Sequence, residues 1–167
     1  LCLSLFPWAK FRRTKGAVKL HLLLDHDGYL PSFAHITDGK KADVNIARIV
    51  SLASGSVIVM DRGYNDYELF ANWTRTGVYF VTRLKDNAHY IVLEDHPVAA
   101  RGNIVSDETI FFVAPKAQKD CPFPLRRILS TDPESGQTIA LLTNHFEFAA
   151  STIGAIYKDR WQIELFF

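Results

Sequence analysis

A chain of 167 residues is long enough for one ordinary domain with its own apolar core. A hydrophobic fraction of 48% and a charged fraction of 22% describe a globular chain and exclude a disordered one. A net charge of +1 does not by itself mark a nucleic-acid binder, so such a partner has to be argued from local clustering.

No apolar run approaches the roughly 18 residues of a membrane span. The opening stretch LCLSLFPWAKFRR has no basic residue ahead of its apolar residues, which argues against a signal peptide. The missing Met at position 1 points to a fragment. Cys2 and Cys121 have no metal-ligand spacing and form no disulfide framework, so nothing places the chain outside the cytoplasm.

In chain order, AVKLHLLLDHDGYLPSFAHIT predicts two strands joined at Asp25-His26-Asp27-Gly28, because Asp-Gly between apolar runs is a hairpin signal. Residues 43–54, DVNIARIVSLAS, carry apolar side chains at Val44, Ile46, Ala47, Ile49, Val50 and Ala53, which predicts a helix closed by Gly55. VIVM at 57–60 is a buried strand, DRGYN a turn, DYELFANWTRT at 66–76 a second helix closed by Gly77, and VYFVTRLK at 78–85 another buried strand. That alternation implies parallel pairing through crossovers, giving a mixed α/β sheet with an antiparallel hairpin at its start. From about residue 89 to 147, the short runs YIVL, TIFFVA, LRRILS and TIALLTN predict an all-β insertion. STIGAIYKDRWQIELFF closes the chain as a helix with Ser151 as N-cap.

Two carboxylates stand out. At about 100° per residue, Ile153, Tyr157, Arg160, Trp161 and Glu164 fall within roughly 100° of one another, opposite Lys158, Asp159 and Gln162. Glu164 therefore lies on the apolar face, where a carboxylate is costly unless it is paired or binds a cation. A pair with Arg160 one turn earlier is the bland reading, and a functional site is the other. Asp61 directly follows VIVM, at the carboxyl end of a buried strand, where ligand and catalytic groups of α/β sheets collect. A turn or capping aspartate, with Gly63 and Asn65 following, reads the same residues.

VIVMDRGYNDYELF and TNHFEFAASTIGAIYKDRWQIELFF together resemble the bacterial insertion-sequence transposases of the DDE type. More narrowly they resemble the group with the Y-x2-R-x3-E-x6-K signature, with Tyr157, Arg160 and Glu164 at that spacing and the lysine falling beyond Phe167. KFRRTKGAVKLHLLLDHDGYLPSFAHITDGK is similar to the first hairpin of these enzymes. The resemblance implies an RNase H-like α/β fold: a mixed sheet with flanking helices and an inserted all-β subdomain before the last catalytic helix. Residues 1–167 would then be a single partial catalytic domain, with a core of about 1–86 and 148–167 and a β insertion of about 87–147. It also implies two divalent ions, Mg²⁺ or Mn²⁺, held by two aspartates and a glutamate, with Asp61 and Glu164 matching the second and third. The first aspartate, which would precede LCLSLFPWAKFRR, is absent, and Asp25 and Asp27 belong to the following hairpin and do not take its role. The expectation is a fragment cut just inside two functional residues and inactive alone.

The implied chemistry suits the residue types. Two metal ions about 4 Å apart stabilise the entering and leaving oxygens of a phosphodiester, and Mg²⁺ takes hard oxygen ligands. Tyr157 and Arg160 could contact phosphate or orient the carboxylate, or serve as core aromatic and ion-pair partner. Lys10, Arg12, Arg13, Lys15 and Lys19 cluster as phosphate neutralisers or a solvated rim, and Arg83 and Lys85 could face the same groove. His21 and His35 are expected as sheet residues. The expected partners are double-stranded DNA, both transposon ends and target, and a second copy in a synaptic complex, with no membrane and a bacterial cytoplasmic location. An RNase H-like nuclease without strand transfer and a catalytically dead DNA-binding remnant are the alternatives.

Overall fold

The computed structural model describes residues 10–12, 15–28, 30–40, 42–132 and 136–160, with 10–12, 15 and 16 described by their backbone alone. The chain forms two compact units; among the described residues, those up to Ser51 belong to the first and those from Leu52 onward to the second.

In the first unit, β1 (Lys10–Arg12) and β2 (Lys15–Gly16) make a short antiparallel pair. Strands β3 (Val18–Leu24) and β4 (Pro31–Asp38) form the expected hairpin. Its turn is built by Asp25, whose Oδ1 accepts the Asp27 N–H at 3.0 Å, and by Gly28 at φ 87°, a left-handed backbone that glycine adopts without a Cβ penalty. His21 is buried and bonds Thr37 Oγ1 across the hairpin at 2.9 Å, so it is the sheet residue the sequence suggests. The hairpin is a two-stranded sheet of its own and does not open the mixed sheet.

Helix α1 (Asp43–Ala47) is much shorter than the expected 43–54. Past Ala47 the Ile49 N–H bonds Ile46 O at 3.0 Å, the tightened pattern of a helix end, and the Ile49 side chain is 56% exposed. The apolar periodicity beyond Ala47 meets no core, so it does not hold a helix. Gly55, at φ 88°, shapes the turn into the next strand and is not the helix cap expected of it.

The second unit is a six-stranded mixed sheet of β5 (Val57–Val59), β6 (Tyr79–Arg83), β7 (Tyr90–Asp95), β8 (Ile104–Phe112), β9 (Leu125–Thr131) and β10 (Thr138–Thr143), in the order β5-β6-β10-β9-β8-β7. Only β5 and β6 are parallel, joined by α2 (Tyr67–Thr76) as the crossover. The expected β runs all form. Because β10 lies between β6 and β9, they extend the parallel pair into one continuous sheet. A mixed sheet flanked by helices is the α/β architecture expected of an RNase H-like fold.

Helix α2 starts at Asp66, whose carboxylate accepts the Leu69 N–H at 2.9 Å, and ends at Gly77 with φ 71°. It buries Phe70 and Trp73 against Phe80, the Phe70 and Phe80 rings stacking at 4.4 Å, while Tyr67 meets Phe112 edge-on at 4.8 Å. Strand alternation sends the next residue, Val81, to the other face. There α4 (Ala150–Asp159) buries Ile153 and Tyr157 against Val81, Ile128 and Leu141. Each such fully buried side chain contributes about 1.5–3 kcal/mol. The remaining helix, α3 (Pro115–Asp120), is not among the expected elements; Pro115 at its first turn is the signal the sequence offers for it. Ser151 lies inside α4 and is not its N-cap; that position belongs to Ala149, with no side-chain cap.

Candidate active site

Strand β5 delivers Asp61. The Met60 N–H still bonds Val81 O at 3.1 Å, and the next residue emerges, exposed, at the carboxyl edge of the parallel pair. Its Oδ1 accepts the Arg62 N–H at 2.7 Å and its carbonyl accepts the Tyr64 N–H at 3.0 Å, so Asp61 also caps the 3-10 turn Arg62–Tyr64. Both readings of this aspartate, turn cap and edge carboxylate, coexist in one geometry.

Asn65 ties the turn to β6. Its Nδ2 donates to Arg83 O at 2.7 Å, its Oδ1 accepts from Thr82 Oγ1 at 2.8 Å, and its carbonyl accepts from Lys85 Nζ at 3.2 Å. These bonds bring Arg83 and Lys85 to the Asp61 turn.

From the other face α4 brings Tyr157, which is 3% exposed, and Arg160, whose Cζ lies 5.6 Å from the Tyr157 ring centroid. Burial pushes the Tyr157 phenol above its ordinary range; the Asp61 charge adds to the rise, while Arg160 and Arg83 oppose it. Asp61, Arg83 and Arg160 therefore each lie within electrostatic reach of the Tyr157 phenol. The inward face predicted for Ile153, Tyr157 and Arg160 holds, with Lys158 and Asp159 exposed. Trp161, Gln162, Glu164 and Arg13 lie outside the described residues, and for Lys10, Arg12 and Lys15 the backbone alone is described. The Lys19 ammonium is 2.5 Å from Asp43, an ion pair within the first unit.

Asp61 offers the hard, exposed oxygen that Mg²⁺ or Mn²⁺ takes. Among the described residues no three His, Cys, Asp or Glu gather to hold a metal, so this part of the chain supplies one candidate ligand.

The loop between β10 and α4 is held by residues that the sequence did not announce. Asn144 Oδ1 accepts the Phe80 N–H at 2.9 Å, and its Nδ2 donates to Val78 O at 2.9 Å and Thr74 Oγ1 at 3.1 Å. Arg126, on β9, is 6% exposed and pairs with Asp107, on β8, which is 4% exposed. No local pattern marks these side chains, because each partner is distant in sequence.

The family model described as "Transposase DDE domain" matches residues 7–167. The chain belongs to that family. This transposase domain is 35% identical over 167 residues to a protein of Sinorhizobium fredii (strain NBRC 101917 / NGR234) named as a transposase, y4zB, covering 98% of the domain and 47% of that protein. It is 28% identical over 165 residues to a Geobacillus stearothermophilus protein named as a transposase for insertion sequence element IS5377, covering 96% of the domain and 42% of that protein. The domain thus spans under half the length of either relative. No helix among its described residues is long and apolar enough to cross a membrane.

Proposed function

We propose that this transposase domain carries out metal-dependent DNA strand cleavage and strand transfer during transposition of an insertion sequence, with Asp61 and Glu164 as carboxylate ligands of the metal. The observation that supports this most is the position of Asp61, exposed at the carboxyl edge of β5, with its charge felt by the Tyr157 phenol of α4. Asp61 is a fixed carboxylate, since its own cap and the Asn65 bonds restrain the turn that carries it. The Lys85 ammonium at that turn, with Arg83 on the adjoining strand and Arg160 on α4, would suit the phosphates of double-stranded DNA at transposon ends and target. The divalent ions, when bound, supply stabilisation of charge on the entering and leaving oxygens. A homodimer would let each copy act on one transposon end.

The test is a DNA-joining assay with the complete protein, Mg²⁺, a transposon-end duplex and a target plasmid. Cleavage and joined product are expected, and both should vanish with Asp61→Asn and with Glu164→Gln. Cleavage without joining would leave only a nuclease. Joining that survives Asp61→Asn would remove Asp61 from the site.

A further inference from the structure

Among the described residues of the second unit, the side chain making the most hydrogen bonds is Arg126, away from the candidate site. Arg126 Nε and Nη2 donate to Asp107 Oδ1 and Oδ2 at 2.8 and 2.6 Å. Its Nη1 points into the loop between β10 and α4 and donates to the carbonyls of His145 at 3.1 Å, Phe146 at 3.4 Å and Phe148 at 2.7 Å. We propose that Arg126, locked by Asp107, is the positioning residue that sets helix α4, and with it Tyr157 and Arg160, against the Asp61 edge of the sheet. This rests on the proposed function only in that the Asp61 edge is the catalytic one.

The energetics favour positioning over stability. A buried ion pair commonly adds no more stability than apolar side chains of similar volume would. An apolar pair could fill the space between β8 and β9 equally well. It could not bind the carbonyls of a loop with no ladder of its own, and lysine, with a single three-donor ammonium, could not make those bonds together with the bidentate pair to Asp107. Helix α4 has no side-chain N-cap, and the fork anchors its approach differently, by holding carbonyls of the residues that lead into it. The His145 ring supports it, stacked on Phe148 at 3.8 Å with Nδ1 accepting the Phe148 N–H at 3.2 Å. A slip of one helical turn would move Tyr157 by about 5.4 Å, far beyond the roughly 0.5 Å that a catalytic arrangement tolerates.

The experiment is amide hydrogen exchange and Tyr ring NMR on this chain, with Asp107→Leu/Arg126→Met compared with the native sequence. The double variant should keep slow exchange in β8, β9 and β10, while the amides of Ile153–Tyr157 exchange roughly tenfold faster. The Tyr157 ring signals, which should shift on Asp61→Asn in the native sequence, should no longer respond. Arg126→Lys keeps the charge pair but not the fork and should have the same local effect. A folded variant with native α4 protection and a native Tyr157 response overturns the proposal. So does loss of the whole sheet in both variants, which would make the pair a stability element. These readouts need neither metal nor DNA, so a failure of the proposed catalysis would leave them unchanged.

Discussion

Asp61 is legible in the sequence because a carboxylate directly after an apolar strand violates the local pattern, and a violated pattern needs a reason. Asn65 is not, since its partners Thr82 and Arg83 are neighbours only after β6 has paired with β5. Substituting Asp61→Asn separates its observed cap from its proposed role as a metal ligand. Asparagine caps nearly as well as aspartate, so thermal stability should change by about 0.5 kcal/mol or less. Metal-dependent strand cleavage by the complete protein should fall by about a thousandfold or more, as loss of several kcal/mol of charge stabilisation requires. Melting curves and cleavage rates measured together check this, and a large stability loss would show that the cap is the main role. His145 gives a pH prediction. Burial pushes its pKa below the ordinary 6.5, Glu147 partly offsets this and Arg126 adds to it. The unfolded chain therefore binds the proton more readily than the folded one. The stability from neutral His145 is fully present above 6.5 and is lost as pH falls through the lower folded value. Melting temperature followed downward from pH 7.5 should show this loss, and His145→Gln should remove that component.

Among the elements, those with two chemical boundaries are legible. Asp66 and Gly77 bracket α2, and the expected helix of 66–76 matches the observed Tyr67–Thr76 closely. Residues 43–54 have periodicity and a following Gly55 but no N-terminal cap, and the helix stops at Ala47 where burial stops. The start of α4 is not at Ser151 as the local sequence suggests, because its anchor, Arg126, comes from β9 and leaves no trace near the helix. The Gly77 boundary can be tested directly. At φ 71° an added Cβ is strained, and it would stand 2.5 Å from Ser54 Oγ. Gly77→Ala should destabilise the domain by about 1–2 kcal/mol. Adding Ser54→Ala should recover only the share due to the clash, because the backbone strain remains. Full recovery in chemical denaturation would mean that the clash, not the left-handed backbone, sets the cost.

For the whole molecule, the mixed α/β class follows from alternating strand and helix signals, and the β runs before the last helix are visible as short apolar segments. Sequence periodicity cannot show that β10 inserts between β6 and β9, because strand order is decided by long-range pairing. Nor can it show that the opening hairpin is a sheet of its own. The basic cluster leads to a DNA prediction. Arg12→Gln and Arg13→Gln should each lower the slope of log affinity against log salt by about 0.9 for every phosphate left without its cationic partner. Lys19→Gln should change the slope much less, since that ammonium is already paired with Asp43. Equal slopes for all three variants in a salt titration would count against the distinction. The central claim, the proposal that Asp61 is a metal ligand at the carboxyl edge of the parallel pair, is tested most directly by titrating Mn²⁺ into this chain and following paramagnetic broadening of its NMR signals. Broadening should begin at Asp61–Asn65 and at Tyr157 and Arg160, and should disappear there in Asp61→Asn. Broadening that spares these residues, or survives that substitution unchanged, would contradict the claim.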